Sequence, residues 1–173
     1  MVEVRVARLG LDSSTNSYVV ILQEKNGNRL LPIWIGQPEA ESIVMQMNNV
    51  KRERPLTHDL CKSLIVGLGG SLQRVQITKV QKNTYFAELH VANADGIVQI
   101  DARPSDSIAI ALRLAAPIFA QESLLTAMDD GEAEETESDG EAAPRPSGDE
   151  MNAEQLKEHL EKLRPEDFGK FNL

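Results

Sequence analysis

Val2, Val4 and Val6 alternate with Glu3, Arg5 and Ala7, the period of two that a half-buried strand requires. Residues 12–17 are turn-rich, and two β-branched runs follow, Tyr18 to Gln23 and Arg29 to Ile35. Asn26-Gly27 lies between those runs and tolerates the positive φ of a tight hairpin. Three opening strands in a meander are the expectation. Gly36 and Pro38 then change the period. Ala40, Ile43, Val44, Met47 and Val50 fall at helical spacing, with Pro38 in the first turn. Lys51 to Pro55 breaks that helix, and a second begins near Thr57, read as its N-cap, carrying Leu60, Cys61, Leu64, Ile65 and Leu68 up to Gly69-Gly70.

Strand periodicity returns at Leu72 to Val80, Thr84 to Ala92 and Ile97 to Ala102, with turns at Lys82-Asn83 and Asp95-Gly96. In the middle strand Tyr85, Ala87, Leu89 and Val91 share one face. Phe86, Glu88 and His90 share the other, where His90 reads as a surface residue. Ser105 is suited to cap a third helix that carries Ile108, Ala109, Leu112 and Ala116 and stops at Pro117. Ile118 to Ala120 reads as a short edge strand and Glu122 to Met128 as a last short helix. Strand runs interrupted by paired helices predict an α+β fold with three to four helices.

Charge divides the chain. Residues 1–125 hold 13 Lys and Arg against 12 Asp and Glu, whereas residues 126–173 hold 5 against 15. The net charge of −9 therefore sits in the C-terminal part, and the nearly neutral remainder shows no strong basic field. Residues 129–150 contain ten acids and Arg145 as their lone base, a composition that cannot bury enough apolar surface to fold. The expected organisation is a domain over 1–128, an acidic linker over 129–150 and a helical docking tail over 151–173. The tail's stripe of Leu156, Leu160 and Leu163 would seat on its own domain, on a second copy or on another protein. One cysteine, no leader-like start and no long apolar run place the protein in the cytoplasm as an expectation.

Three blocks, taken together and in this order, resemble the bifunctional nuclease domain family. They are LPIWIGQPEAESI (Leu31 to Ile43), RPLTHDL (Arg54 to Leu60) and IDARPSDSIAIALRLAAPIF (Ile100 to Phe119). The resemblance covers about Val2 to Leu125, and within it Ser107 stands where alanine is more usual. It implies a mixed, largely antiparallel sheet with packed helices, cleavage of RNA and DNA, and self-association into a homo-oligomer.

The chemistry of phosphodiester cleavage selects candidates from these blocks. It needs a proton acceptor, a clamp for the charged phosphate, and help for the leaving oxygen. Glu39 opens the first helix, as a hard-metal ligand or simply as an acid favoured by the helix dipole. His58 and Asp59 open the second, as general base or acid with its partner, or as a capping network. Asp101, Arg103 and Asp106 join a strand end to a helix start. Glu39, Asp101 and Asp106 form the candidate ligand set for Mg²⁺ or Mn²⁺, and Arg103 can clamp a phosphate or bridge the two aspartates. Lys51, Arg52 and Arg54 can follow a nucleic-acid backbone or form a solvated loop. Cys61 shares a stripe with Leu64 and Ile65 and reads as core. Trp34 reads as core or interface. The competing class is a non-enzymatic interaction module whose motif blocks hold the fold or a dimer seam, with the acidic linker tethering a docking helix. Phosphate-loop, dinucleotide, zincin and paired CxxC patterns are absent from the sequence.

Overall fold

A computed structural model describes residues 1–12 and 17–127. The acidic linker and the helical tail expected beyond residue 128 lie outside the described residues. In chain order the elements are β1 (Val2–Asp12), β2 (Ser17–Glu24), β3 (Leu30–Ile35), α1 (Gln37–Met47), α2 (Thr57–Gly67), β4 (Ser71–Gln81), β5 (Thr84–Asn93), β6 (Gly96–Ala102), α3 (Pro104–Leu114) and β7 (Ile118–Ala120). The fold is α+β, with a seven-stranded mixed sheet in the order β3-β2-β1-β7-β4-β5-β6.

Two antiparallel meanders make up most of that sheet, β1 to β3 and β4 to β6. The three residues of β7 join them, antiparallel to β1 and parallel to β4. The short strand expected at Ile118 to Ala120 is therefore central in the sheet. Its composition agrees with that position, since Ile118 and Ala120 are buried while Phe119 is half-buried on the other face.

The core lies between one sheet face and the helices. Val20, Leu22, Leu31, Ile33, Val75, Ile77, Ala87 and Leu89 supply the sheet side, and Ala40, Ile43, Ile108, Ala109 and Ala111 supply the helix side. α3 packs over β4 and β5, and α1 over β2. The small Ser107, Ala109 and Ala111, all fully buried, let α3 settle close to its neighbours. Ala115 adopts the left-handed conformation at the end of α3 (φ 52°), and Pro117 prevents continuation.

Several local expectations are revised. α2 is capped by Leu56 rather than Thr57, because the Asp59 carboxylate accepts a hydrogen bond from the Leu56 N–H at 2.9 Å. α3 begins with Arg103 as N-cap and Pro104 in the first turn, so Ser105 lies inside the helix. The segment after β7 forms only a 3-10 turn at Glu122–Leu124. Thr126 then bridges to Leu30 along the edge of β3. Trp34 is 56% exposed and does not belong to the core. His90 is buried, against the expectation of a surface residue. It occupies a strand flanked on both sides, and its register neighbours are the long side chains Arg74 and Gln99. Cys61 packs against the core, half-buried, as its stripe implies.

Ser107 gives this arrangement a test. Its hydroxyl is fully buried and finds no hydrogen-bond partner among the described residues. An unpaired buried hydroxyl costs about 1–3 kcal/mol. Ser107→Ala should therefore raise stability by about 1 kcal/mol, read as a higher midpoint in urea unfolding at unchanged slope.

Candidate active site

Three helices begin at the same corner of the molecule, and each carries an acid at its third helical position. These are Glu39 on α1, Asp59 on α2 and Asp106 on α3. Acids there are favoured by the partial positive charge of unpaired N–H groups. Here they also reach across to neighbouring helices, so three local preferences become one tertiary network.

Arg103 links the first pair. Its Nη2 lies 2.7 Å from Glu39 Oε1, and its Nε lies 2.8 Å from Asp106 Oδ2. Asp106 Oδ1 in turn lies 3.0 Å from His58 Nε2, and His58 Nδ1 lies 2.7 Å from Ser42 Oγ. The result is a continuous path, Glu39–Arg103–Asp106–His58–Ser42, drawn from all three helices. Arg103 is the solvent-facing member at 66% side-chain exposure, whereas His58 keeps only 12%. Ser42 is buried, so its hydroxyl orients the imidazole and is not placed to attack a substrate. A serine hydroxyl both donates and accepts, so Ser42 supports either neutral tautomer of His58.

A second network lies beneath the first. Arg113 is almost wholly buried, and its Nε sits 2.6 Å from Asp59 Oδ1. Its Nη1 donates to the Ala109 carbonyl at 2.9 Å and its Nη2 to the Ser42 carbonyl at 3.3 Å. One guanidinium thus ties α3 to both α1 and α2. Burial pushes the Asp59 carboxyl up, but the hydrogen bonds from Arg113 and from the Leu56 N–H outweigh it and hold the group below the usual carboxylate range. Asp106 follows the same pattern. Burial raises it, and hydrogen bonds from Arg103 and His58 bring it below its ordinary value. Arg103 is raised in return, chiefly by its hydrogen bond to Asp106.

Of the six candidate residues, Glu39, His58, Arg103 and Asp106 are brought together, and Asp59 joins the adjoining Arg113 network. Asp101 is not brought in. It pairs in register with Glu88 on β5, while the flanking Ala87 and Leu89 point into the helix-covered core. Strand alternation therefore places Asp101 on the opposite sheet face. The ligand set Glu39, Asp101 and Asp106 is not assembled. Among the described residues no three His, Cys, Asp or Glu side chains gather as a metal group, and the Arg103 guanidinium stands between Glu39 and Asp106.

Lys51, Arg52 and Arg54 form the wall of an open groove of about 380 Å³ between the end of α1 and the start of α2, with Asp59 and Arg113 at its base. Ser42 and Arg113 were not singled out from the sequence. The signal for Arg113 was present as a cation one helical face along from Asp106, but a buried arginine reads from sequence as a solvated one. Ser42 lay inside the first motif block without a partner that sequence could identify. Gly36 leaves room for the Glu39 carboxylate. A Cβ there would fall 2.5 Å from Glu39 Oε2, so the carboxylate folds over the bare glycine.

A sheet with helix starts gathering His, Arg and carboxylates beside a basic groove defines the class, an α+β domain with a polar site suited to anionic substrates. The family follows from sequence comparison. The family model for the bifunctional nuclease domain matches residues 20–133. An uncharacterized protein of Mycobacterium tuberculosis is 44% identical over 97% of this chain and 98% of its own length. Bifunctional nuclease 1 of Arabidopsis thaliana is 33% identical over 62% of this chain, and Bifunctional nuclease 1 of Oryza sativa subsp. indica 29% over 66%. In both plant proteins the match spans about a third of the longer chain, 34% and 35%. The chain belongs to the bifunctional nuclease domain family.

The Arg113 network yields two expectations. Arg113→Ala leaves Asp59 without its partner and the Ser42 carbonyl without a donor. Breaking such a buried pair costs about 3 kcal/mol, the lower end of the usual range because Asp59 is partly solvated. Thermal melting should fall by on the order of 10 °C. Both aspartates release their protons more readily in the folded chain than in the unfolded one. Their contribution is thus full above the ordinary aspartate value of about 3.9 and is lost as pH falls through the lower folded-state values. Unfolding free energy measured between pH 6 and pH 2 should drop steeply at the acid end for the native protein and less steeply for Asp59→Asn.

Proposed function

We propose that this protein cleaves phosphodiester bonds of RNA and DNA at the corner where α1, α2 and α3 begin. The observation carrying the proposal is the path from exposed Arg103 through Asp106 to His58, with the ring fixed from behind by Ser42. The plant relatives bear the name bifunctional nuclease, which supports the same chemistry.

In this reading a strand lies along Lys51, Arg52 and Arg54 and is led toward the start of α2, since Asp59 of the groove adjoins His58. A phosphate then takes the Arg103 guanidinium from its carboxylates, forming the bidentate pair that guanidinium geometry favours. Asp106, freed from Arg103, turns away from His58, and the vacated Nε2 becomes the atom that exchanges a proton with the attacking water or the leaving oxygen. Ser42 accepts from Nδ1–H while Nε2 acts as base, and the N–H groups of three helix starts face the developing charge.

A divalent cation fits this site poorly as a resident group, because Arg103 already bridges the carboxylates that would hold it. Its proposed role is as a counterion arriving with the nucleic acid. Chelation should then slow cleavage without abolishing it.

A second reading has an observation of its own. Both ring nitrogens of His58 and both oxygens of Asp106 are engaged within the chain. That is what a purely structural clasp, serving a non-enzymatic interaction module, would show. Cleavage assays on labelled single-stranded RNA and DNA separate the two. His58→Ala should lower the rate by about 10²–10⁴-fold and Arg103→Ala by about 10²–10³-fold, with Mg²⁺ present. Because Arg103 is largely exposed, its melting temperature should stay within a few degrees of native. Intact substrates with native protein free of contaminating nuclease would leave the structural clasp as the reading. Gly36→Ala, which displaces the Glu39 carboxylate, should alter cleavage more than stability.

A further inference from the structure

We propose that the chain's own C-terminal segment, residues 129–163, covers the basic groove and the leucine stripe of α2, and so competes with nucleic acid for the groove. Of α1, α2 and α3, only α2 has no buried residue, although Cys61 and Ile65 on one side of it pack against the core. Its other side is apolar. Leu56, Leu60, Leu64 and Leu68 repeat every four residues at 37%, 52%, 53% and 82% exposure. Such a stripe, exposed opposite a packed face, marks a second contact.

Stripe and groove form one surface. Leu56 opens the stripe and also lines the groove beside Lys51, Arg52 and Arg54. Among the charged residues lining the groove, Asp59 is matched by Arg113, which leaves a positive excess of Lys51, Arg52 and Arg54 over Glu53. The footprint is therefore cationic at the start of α2 and apolar along its length.

The C-terminal sequence carries the complement in the same order. Ten acids against Arg145 occupy 129–150, and Leu156, Leu160 and Leu163 follow. The described chain leaves the sheet just after Thr126, which bridges to Leu30 at the edge of β3. Residues 128–150 reach up to about 80 Å when extended, against roughly 35–40 Å across a domain of this size. The leucines are therefore within reach of α2 from that exit. Tethering also lowers the affinity required. At an effective concentration on the order of 1 mM, a contact with a Kd of about 0.1 mM is roughly nine-tenths formed, whereas separate molecules at micromolar concentration would not hold it. That favours the chain's own segment over a second copy or a separate protein. The mycobacterial relative matches 97% of this chain, so its match takes in this segment as well as the domain. Competition for the groove rests on the nucleic-acid path proposed above, whereas the docking itself does not.

The test uses the full chain with a nitroxide at Ser147→Cys and with Cys61→Ser to leave one attachment point. In amide NMR spectra the nitroxide should attenuate the signals of Leu60 to Leu68 more than those of β3, beside the exit. Leu64→Glu and Leu160→Glu should each remove that attenuation while the melting curve stays within a few degrees of native. Attenuation centred on β3 and indifferent to both changes overturns the docking. So does attenuation that arises only between copies in a mixture of isotope-labelled and nitroxide-bearing chains, which would give the surface to a second copy. Competition is read separately, by fluorescence anisotropy of a cleavage-resistant single-stranded phosphorothioate DNA. Changing the eight acids of 129–141 to Asn and Gln should tighten binding by about tenfold or more at low salt, a gain that closes by about 0.5 M salt. Unchanged affinity overturns the competition, as does a gain that survives Lys51→Glu with Arg54→Glu, since overall charge would then explain it. DNA bound by no form of the chain fails the nucleic-acid path and the competition with it, and the nitroxide pattern decides the docking on its own.

Discussion

The burial of one guanidinium determines how the helices meet. Arg113 carries its charge to the bottom of the cleft between α1, α2 and α3, where only a carboxylate and two carbonyls can compensate for lost water. Those partners are Asp59, Ala109 and Ser42, one from each helix. If any helix moved by an ångström or two, a charge would be stranded in an apolar layer. The same constraint fixes the outer network. Ser42 presents its carbonyl to Arg113 and its hydroxyl to His58, and Asp59 is the residue next to His58. The imidazole is therefore located by a clamp that it does not touch.

The proposed function asks a neutral domain with few aromatics to receive an anion. Net positive charge is not needed where helix starts converge, because their unpaired N–H groups contribute fixed partial charges. At rest Asp59 accepts from the Leu56 N–H at the start of α2, and Arg103 keeps the carboxylates of Glu39 and Asp106 paired. In the proposed reaction an incoming phosphate would replace one set of charge-assisted contacts by another, so the site would need little rebuilding on binding.

Much of the architecture was legible in the sequence. The period-two runs of β1 and β5, the Asn26-Gly27 hairpin and the shift to helical spacing after Gly36 all gave their elements. Four members of the site network came from the motif blocks. What escaped were properties decided by long-range pairing. Nothing local marks Arg113 as buried, since its environment is built by residues more than fifty positions away. Asp101 and Arg103 are two residues apart, but a strand ends and a helix begins between them. The two side chains leave on different sides of the sheet. His90 lies buried for the same kind of reason, because flanking strands, and not alternation, decide what covers a polar face.

β7 has a consequence for the order in which the molecule is made. Among the described residues the sheet's two meanders are hydrogen-bonded to each other only through Ile118, Phe119 and Ala120, which leave the ribosome after the other described strands. Until those residues emerge, β1 and β4 expose the edges that will later flank them. The nascent chain thus carries two separately formed hairpin sets that cannot merge. Completion of the core between sheet and helices is then a late event, and a chain cut short before residue 118 would lack the seam that makes the two meanders one sheet.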